Sequence, residues 1–79
     1  MKKVKLRKGI YQHYKNLKLY EVLDIALHTE TEEILVIYRP LYKSEYKLFA
    51  RPYKMFFEKV KNLETKKIVP RFIYKKAKK

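Results

Sequence analysis

The stretch Tyr20 to Pro40, YEVLDIALHTETEEILVIYRP, decides the fold class. Its first part, Leu19–Thr29, has two alternating faces: Tyr20, Val22, Asp24, Ala26, His28 and Glu21, Leu23, Ile25, Leu27, Thr29. Both are largely apolar in the middle, which predicts a strand covered on both sides or curled into a small barrel. Thr29-Glu30-Thr31-Glu32 is polar and has the length of a hairpin loop. Glu33 to Arg39 then returns as a strand rich in β-branched and aromatic residues, among them Ile34, Val36, Ile37 and Tyr38.

The same reading extends outward in both directions. Gly9 marks a turn feeding a strand at Ile10–Tyr14. Pro40 ends the central hairpin or marks an edge, Lys43-Ser44-Glu45 reads as a turn, and Tyr46–Arg51 as the next strand. Pro52 suits the first position of a short helical turn through Met55 or Phe56, since its fixed φ and missing N–H are tolerated there. Phe56, Val60 and Leu63 also carry helical spacing, so a helix over Pro52–Leu63 competes with that turn. The preferred assignment is the short turn, a strand at Phe57–Lys61, a loop at Asn62–Lys66 and a last strand near Ile68–Tyr74. Short strands at this spacing predict an all-β antiparallel barrel with one short helical turn, an arrangement that removes exposed edges. One domain over residues 8–74 is expected, followed by a frayed basic tail over 75–79.

With 79 residues there is no room for a second domain, and the core must be thin. Hydrophobic residues make up 47% of the chain, too many for a disordered polymer despite the charge. No cysteine is present, which excludes disulfides and thiolate metal sites and suits a reducing, cytoplasmic setting. The longest purely apolar run, Ile34–Tyr38, has a strand's length and cannot span a bilayer, so no membrane role is expected.

Charge is the strongest compositional signal, and it is unevenly placed. Residues 1–20 hold seven Lys/Arg and no acid. Residues 21–45 hold six acids against Arg39 and Lys43, whereas residues 46–79 hold twelve Lys/Arg against Glu58 and Glu64. If the two basic ends meet in the fold they form one positive face, and such a field attracts polyanions. Seventeen of the 21 basic residues are Lys, which contacts phosphate as a point charge. Contact with a nucleic-acid backbone is therefore expected in preference to base reading. The competing account of the lysines is solubility alone.

Five segments, KGIYQHYK (8–15), YEVLDIALHTET (20–31), VIYRPLY (36–42), RPYKMFFEKV (51–60) and VPRF (69–72), resemble in order a bacterial family catalogued as domain of unknown function 1653. The resemblance covers Lys8 to Phe72. It implies a small SH3-like barrel and assigns no activity. Departures fall where the family usually has Gly after its Tyr-Lys and this chain has Asn16-Leu17-Lys18, and where it has a Gly-containing turn and this chain has Leu63-Glu64-Thr65-Lys66. Phe49 also stands where the family tends to carry Trp.

Catalysis is not expected. The single Ser, Ser44, lies in a turn, no Cys exists, and His13 and His28 fall on separate strands. A Thr29-His28-Glu30 cluster fails because adjacent strand side chains point to opposite faces. His13 and His28 could pair with Glu30 or Glu33 at a metal, or His28 and the acidic hairpin could serve a metal or small-ligand sensor, but no ligand spacing is diagnostic and no cofactor is implied; for His28 a hydrogen bond closing the hairpin is the simpler role. The functional signal is the interleaving of Tyr11, Tyr14, Tyr38, Tyr42, Tyr46, Phe49 and Tyr53 with Lys15, Arg39, Lys43, Lys47, Arg51 and Lys54. Small barrels that bind single strands combine stacking rings with a cationic groove. About half of these rings must fill the core. The expected binding residues are Tyr38, Arg39, Tyr42, Arg51, Lys54 and His28, with Tyr38, Arg39, Tyr42 and Arg51 forming one exposed patch. Arg39 and Arg51 could instead bridge to Glu21 or Asp24. The leading expectation is a nucleic-acid-binding module of low sequence specificity, and the alternative is an SH3-like module that binds a protein partner through an aromatic groove.

Overall fold

The computed structural model describes residues 5–77. The chain is nearly all β: β1 (Gly9–His13), β2 (Leu19–Leu27), β3 (Ile34–Pro40), β4 (Phe49–Pro52), a one-turn helix α1 (Tyr53–Phe56), β5 (Lys59–Lys61), β6 (Ile68–Pro70) and β7 (Phe72–Lys76). Five strands form an antiparallel sheet in the order β4-β3-β2-β1-β7, and β5 and β6 make a separate hairpin. Strands β4 and β7 end the sheet without pairing to each other, yet Arg51 on β4 lies over the Phe72 ring on β7, 5.6 Å from its centroid. The sheet is thus curled into a small barrel that is open between its edges.

The core is aromatic. Tyr11, Tyr20, Val22, Val36, Tyr38, Phe56 and Phe72 are buried together, and the α1 turn delivers Phe56 to stack on Phe72 at 4.1 Å with the planes 3° apart. Tyr38 meets Tyr20, Phe49, Phe56 and Phe72 edge-on, with centroids 5.2–5.7 Å apart. Such T-shaped pairs place positive ring edges against negative faces, contributing about 0.5–1.5 kcal/mol each beyond the area they bury.

The double apolar character of β2 has a cause other than cover on both sides. Val22 pairs with Tyr38 but Asp24 pairs with Ile37, so Leu23 is an extra residue in a β-bulge. The bulge switches the phase: Tyr20 and Val22 face the core before it, and Ile25 joins the face of buried Val36 after it.

Other boundaries shift. Gly9 is no turn but the first residue of β1, at φ 148°; a Cβ there would sit 2.6 Å from the Lys76 carbonyl oxygen. Pro52 is the N-cap of α1, with ψ 138°, instead of its first helical residue. The fourth strand begins at Phe49, β5 at Lys59, and the last predicted strand is split at Arg71. The split lets Arg71 tie the two sheets: its N–H donates to the Glu58 carbonyl (2.9 Å) and its carbonyl accepts from Tyr14 N–H (3.0 Å). Lys75 and Lys76, expected in a frayed tail, belong to β7 instead, and Lys76 pairs with Ile10. Lys78 and Lys79 lie outside the described residues.

Three hairpin loops share one design. His13, His28 and Asn62 open them, and each accepts a backbone N–H from the residue four positions on: Leu17, Glu32 and Lys66. Those three residues take left-handed φ of 60°, 63° and 62°. Each opening side chain also accepts backbone N–H groups within its loop. His13 Nδ1 takes Lys15 at 3.1 Å, His28 Nδ1 takes Glu30 at 3.2 Å and Thr31 at 3.3 Å, and Asn62 Oδ1 takes Glu64 at 2.9 Å and Thr65 at 3.3 Å. Both histidines are thus doing what asparagine does in a turn.

Candidate nucleic-acid interface

Antiparallel pairing of β1 with β7 brings the two basic ends of the chain together. Lys8 precedes Gly9, which lies against Lys76, and Ile10 pairs with Lys76. Upstream, the Arg7 guanidinium sits 3.6 Å from the centroid of the Tyr74 ring, Tyr11 Oη donates to the Arg7 carbonyl (2.7 Å), and Tyr53 Oη donates to the Lys5 carbonyl (2.8 Å). The strand that carries Lys75 and Lys76 therefore runs beside the segment that carries Lys5, Arg7 and Lys8. Burial holds the Tyr11 hydroxyl above its ordinary value, with Arg7 acting in the opposite direction.

The accessible ring lies elsewhere. Of the interleaved aromatics, Tyr11 and Tyr38 are buried, Tyr14, Tyr42, Phe49 and Tyr53 are half-buried, and Tyr46 is 67% exposed. Tyr46 stands in the β3–β4 loop, where Arg39, Pro40, Tyr42, Lys43, Ser44, Tyr46, Lys47 and Leu48 line a shallow groove. Lys18 reaches it from the β1–β2 turn, its Nζ 4.4 Å from the Tyr42 centroid. Tyr42 is fixed from below by a 3.0 Å hydrogen bond with Tyr20 Oη, which also accepts from Asn16 Nδ2 (3.3 Å). That bond, with a smaller effect from burial, pushes the Tyr42 hydroxyl up to about 12, so the ring stays neutral beside its cations. The same loop carries one acid, Glu45.

Arg39 is held by Glu21, Nε to Oε1 at 2.6 Å, so the Arg-carboxylate bridge anticipated for Arg39 exists. Glu21 is buried and Arg39 partly exposed. Arg39 also borders a second groove with Ile10, Leu19, Glu21, Leu41, Lys76 and Ala77. The two grooves thus meet at Arg39, joining the loop to the end of β7 at Lys76.

The patch expected from Tyr38, Arg39, Tyr42 and Arg51 does not form. Tyr38 is 3% exposed, and consecutive residues of β3 face opposite ways, so Tyr38 enters the core while Arg39 points out. Arg51 stays on the inner side with Tyr38, donating from Nε to its hydroxyl at 3.3 Å. Lys54 is on α1, beside Glu32 and Glu33 at a separate groove lined also by Ile34, Pro52 and Tyr53. His28 caps its hairpin, so its Nδ1 is engaged, and no group of three His, Cys, Asp or Glu able to hold a metal occurs among the described residues. Tyr46, Lys18 and Lys76 were not singled out from the sequence as a set; Tyr46, expected to start a strand over Tyr46–Arg51, stands instead in the loop before β4.

The family model described as protein of unknown function (DUF1653) matches residues 9–74, that is, β1 through most of β7. The chain belongs to the DUF1653 family. A crystal structure of a DUF1653 protein from Bordetella bronchiseptica is similar to it with a TM-score of 0.81 and 31% identity, over 94% of this chain and 92% of that one. No curated protein matches the chain. This DUF1653 domain has no helix among its described residues long and apolar enough to cross a membrane. Leu17 and Lys66, within the two segments where a family glycine is expected, take the left-handed backbone that glycine adopts at no steric cost.

Proposed function

We propose that the chain is a non-catalytic module that binds single-stranded nucleic acid with little sequence preference, through the β3–β4 loop groove and the lysines adjoining it. One observation carries this reading: exposed Tyr46 shares a groove with Arg39, Lys43 and Lys47, and at Arg39 that groove meets the one reaching Lys76 at the end of β7. A base stacked on Tyr46 contributes about 1–3 kcal/mol, and the Lys side chains neutralise backbone phosphates without reading base edges. Lys predominance, 17 of 21 basic residues, favours such contact. The pair Glu21–Arg39 fixes the guanidinium at the junction of the two grooves, so little ordering is left for binding.

The test is fluorescence anisotropy with a labelled dT oligonucleotide and a duplex of the same length. Tyr46→Ala is expected to weaken binding to the single strand several-fold while leaving duplex binding nearly unchanged. Equal effects on both would remove stacking from the account. A second reading, a protein-binding module, is favoured by the separate groove of Ile34, Pro52 and Tyr53 rimmed by Glu32, Glu33 and Lys54. Chemical-shift changes confined to those residues on adding a partner, with none at Tyr46, would support that reading instead.

A further inference from the structure

Three elements end at the open mouth of the barrel: β1 at His13, β4 near Arg51, and β7 at Phe72. Phe72 organises what gathers there. The His13 ring meets it edge-on at 5.0 Å and the Arg51 guanidinium lies over it at 5.6 Å. Arg51 donates to Tyr38 Oη, a neutral acceptor, and has no carboxylate partner among the described residues. Arg71 adjoins them, with Nε on the Met55 carbonyl (3.0 Å) and a terminal nitrogen on Glu58 Oε1 (2.8 Å).

His13 is oriented by its own turn. Because Nδ1 accepts the Lys15 N–H, the proton of the neutral ring resides on Nε2, which is left as a donor. Burial first, then Arg51, Arg71 and Lys15, hold the imidazole below its ordinary value of 6.5. Tyr14 is the other ring against it, 5.1 Å away. Arg51 and His13 thus share the Phe72 ring, Arg71 precedes it in the chain, and Glu58 is the one carboxylate bonded to any of these cations among the described residues. A half-buried guanidinium without a counter-ion is costly, and its planar fork matches a tetrahedral oxyanion.

We infer that the barrel mouth formed by Arg51, His13 and Arg71 is a seat for one phosphate group, either a backbone phosphodiester or free phosphate. The phosphodiester source rests on the nucleic-acid reading above; the seat for free phosphate does not. Arg51 supplies the fork, His13 Nε2 a single donor, and Lys15 long-range attraction from the adjoining turn. His28, which caps its hairpin the same way without this ring of cations, is the internal control.

The experiment follows the imidazole Cε1–H signals of His13 and His28 by NMR through pH titrations in chloride and in inorganic phosphate at equal ionic strength. Phosphate is expected to raise the His13 midpoint and leave that of His28 in place, and Arg51→Gln should abolish the response. Lys43→Ala with Lys47→Ala should preserve it. A second arm measures dT oligonucleotide binding against salt, where Arg51→Gln should lower the slope by about 0.7, the share of one single-strand phosphate. A phosphate response with no change of slope assigns the seat to free phosphate. Equal movement of both histidines, or none at His13 together with an unchanged slope, overturns the seat. Oligonucleotide binding that persists in that case leaves the loop groove standing. Should Arg51→Gln fail to fold, Arg51→Lys, which keeps the charge but not the fork, must still weaken the phosphate response.

Discussion

Leu17, Glu32 and Lys66 each close a hairpin loop with left-handed backbone, which an L side chain adopts at a cost of about 1–2 kcal/mol. Glycine relieves that cost but gives some back through its freer unfolded chain. Leu17→Gly and Lys66→Gly should therefore each stabilise the fold by about 0.5–1 kcal/mol in urea unfolding; a loss of stability in both would show that the loops need those side chains. His13 gives a pH prediction at the same scale. Its folded imidazole stays neutral below the ordinary 6.5 because of burial and the nearby Arg51, Arg71 and Lys15. The unfolded chain then takes up the proton first, so stability is full above about pH 6.5 and falls as pH drops from there toward the folded value. His13→Asn keeps the acceptor that caps the turn and removes this slope. Urea midpoints at pH 7.5 and 5 for the two proteins check it; equal pH dependence in both would contradict the assignment.

Among the elements, α1 has four residues and one indispensable task, the delivery of Phe56 to the centre of the core. Phe56 is 0% exposed and stacked on Phe72, so Phe56→Ala should cost about 3–5 kcal/mol and leave so small a domain largely unfolded by circular dichroism. Retention of a cooperative transition near the native midpoint would show that the core can collapse around the loss. Deleting Leu23 would erase the β2 bulge yet leave Val22 opposite Tyr38 and Ile25 opposite Val36, so the deletion should leave a folded, cooperative domain by circular dichroism; loss of folding would show that the sheet needs the bend the bulge supplies.

Much of this layer was legible. The hairpin at Thr29–Glu32, the strand-rich order and the short helical turn after Pro52 followed from β-branched runs and turn chemistry. Strand ends were not, because pairing partners set them: Lys75 and Lys76 are strand only through β1. Nor does alternation reveal a bulge, since Asp24 alone marks the change of phase in an apolar run. The expected patch failed for a reason that the sequence did contain. Tyr38 and Arg39 are neighbours in a strand and cannot share a face.

At the scale of the molecule, the uneven charge becomes geometry. Pairing of β1 with β7 brings the basic ends side by side, whereas the acids Glu30, Glu32 and Glu33 stay in the β2–β3 hairpin. Under the proposed function, the formal charge of +13 would draw in a polyanion, and the segregation of the acids in that hairpin would leave the approach from the chain ends unopposed. Which aromatic ring faces solvent was beyond sequence, because eight Tyr and four Phe compete for one small core and packing alone selects Tyr46 as the exposed one.

The most direct measurement is the affinity for a short dT oligonucleotide as a function of salt, by anisotropy. Log affinity should fall linearly with log salt, at about 0.7 per phosphate neutralised, and the joint substitution Lys43→Ala/Lys47→Ala should flatten the slope by roughly 1.4. Absence of salt-dependent binding at micromolar protein, or a slope untouched by that double substitution, would contradict a nucleic-acid interface in the β3–β4 loop.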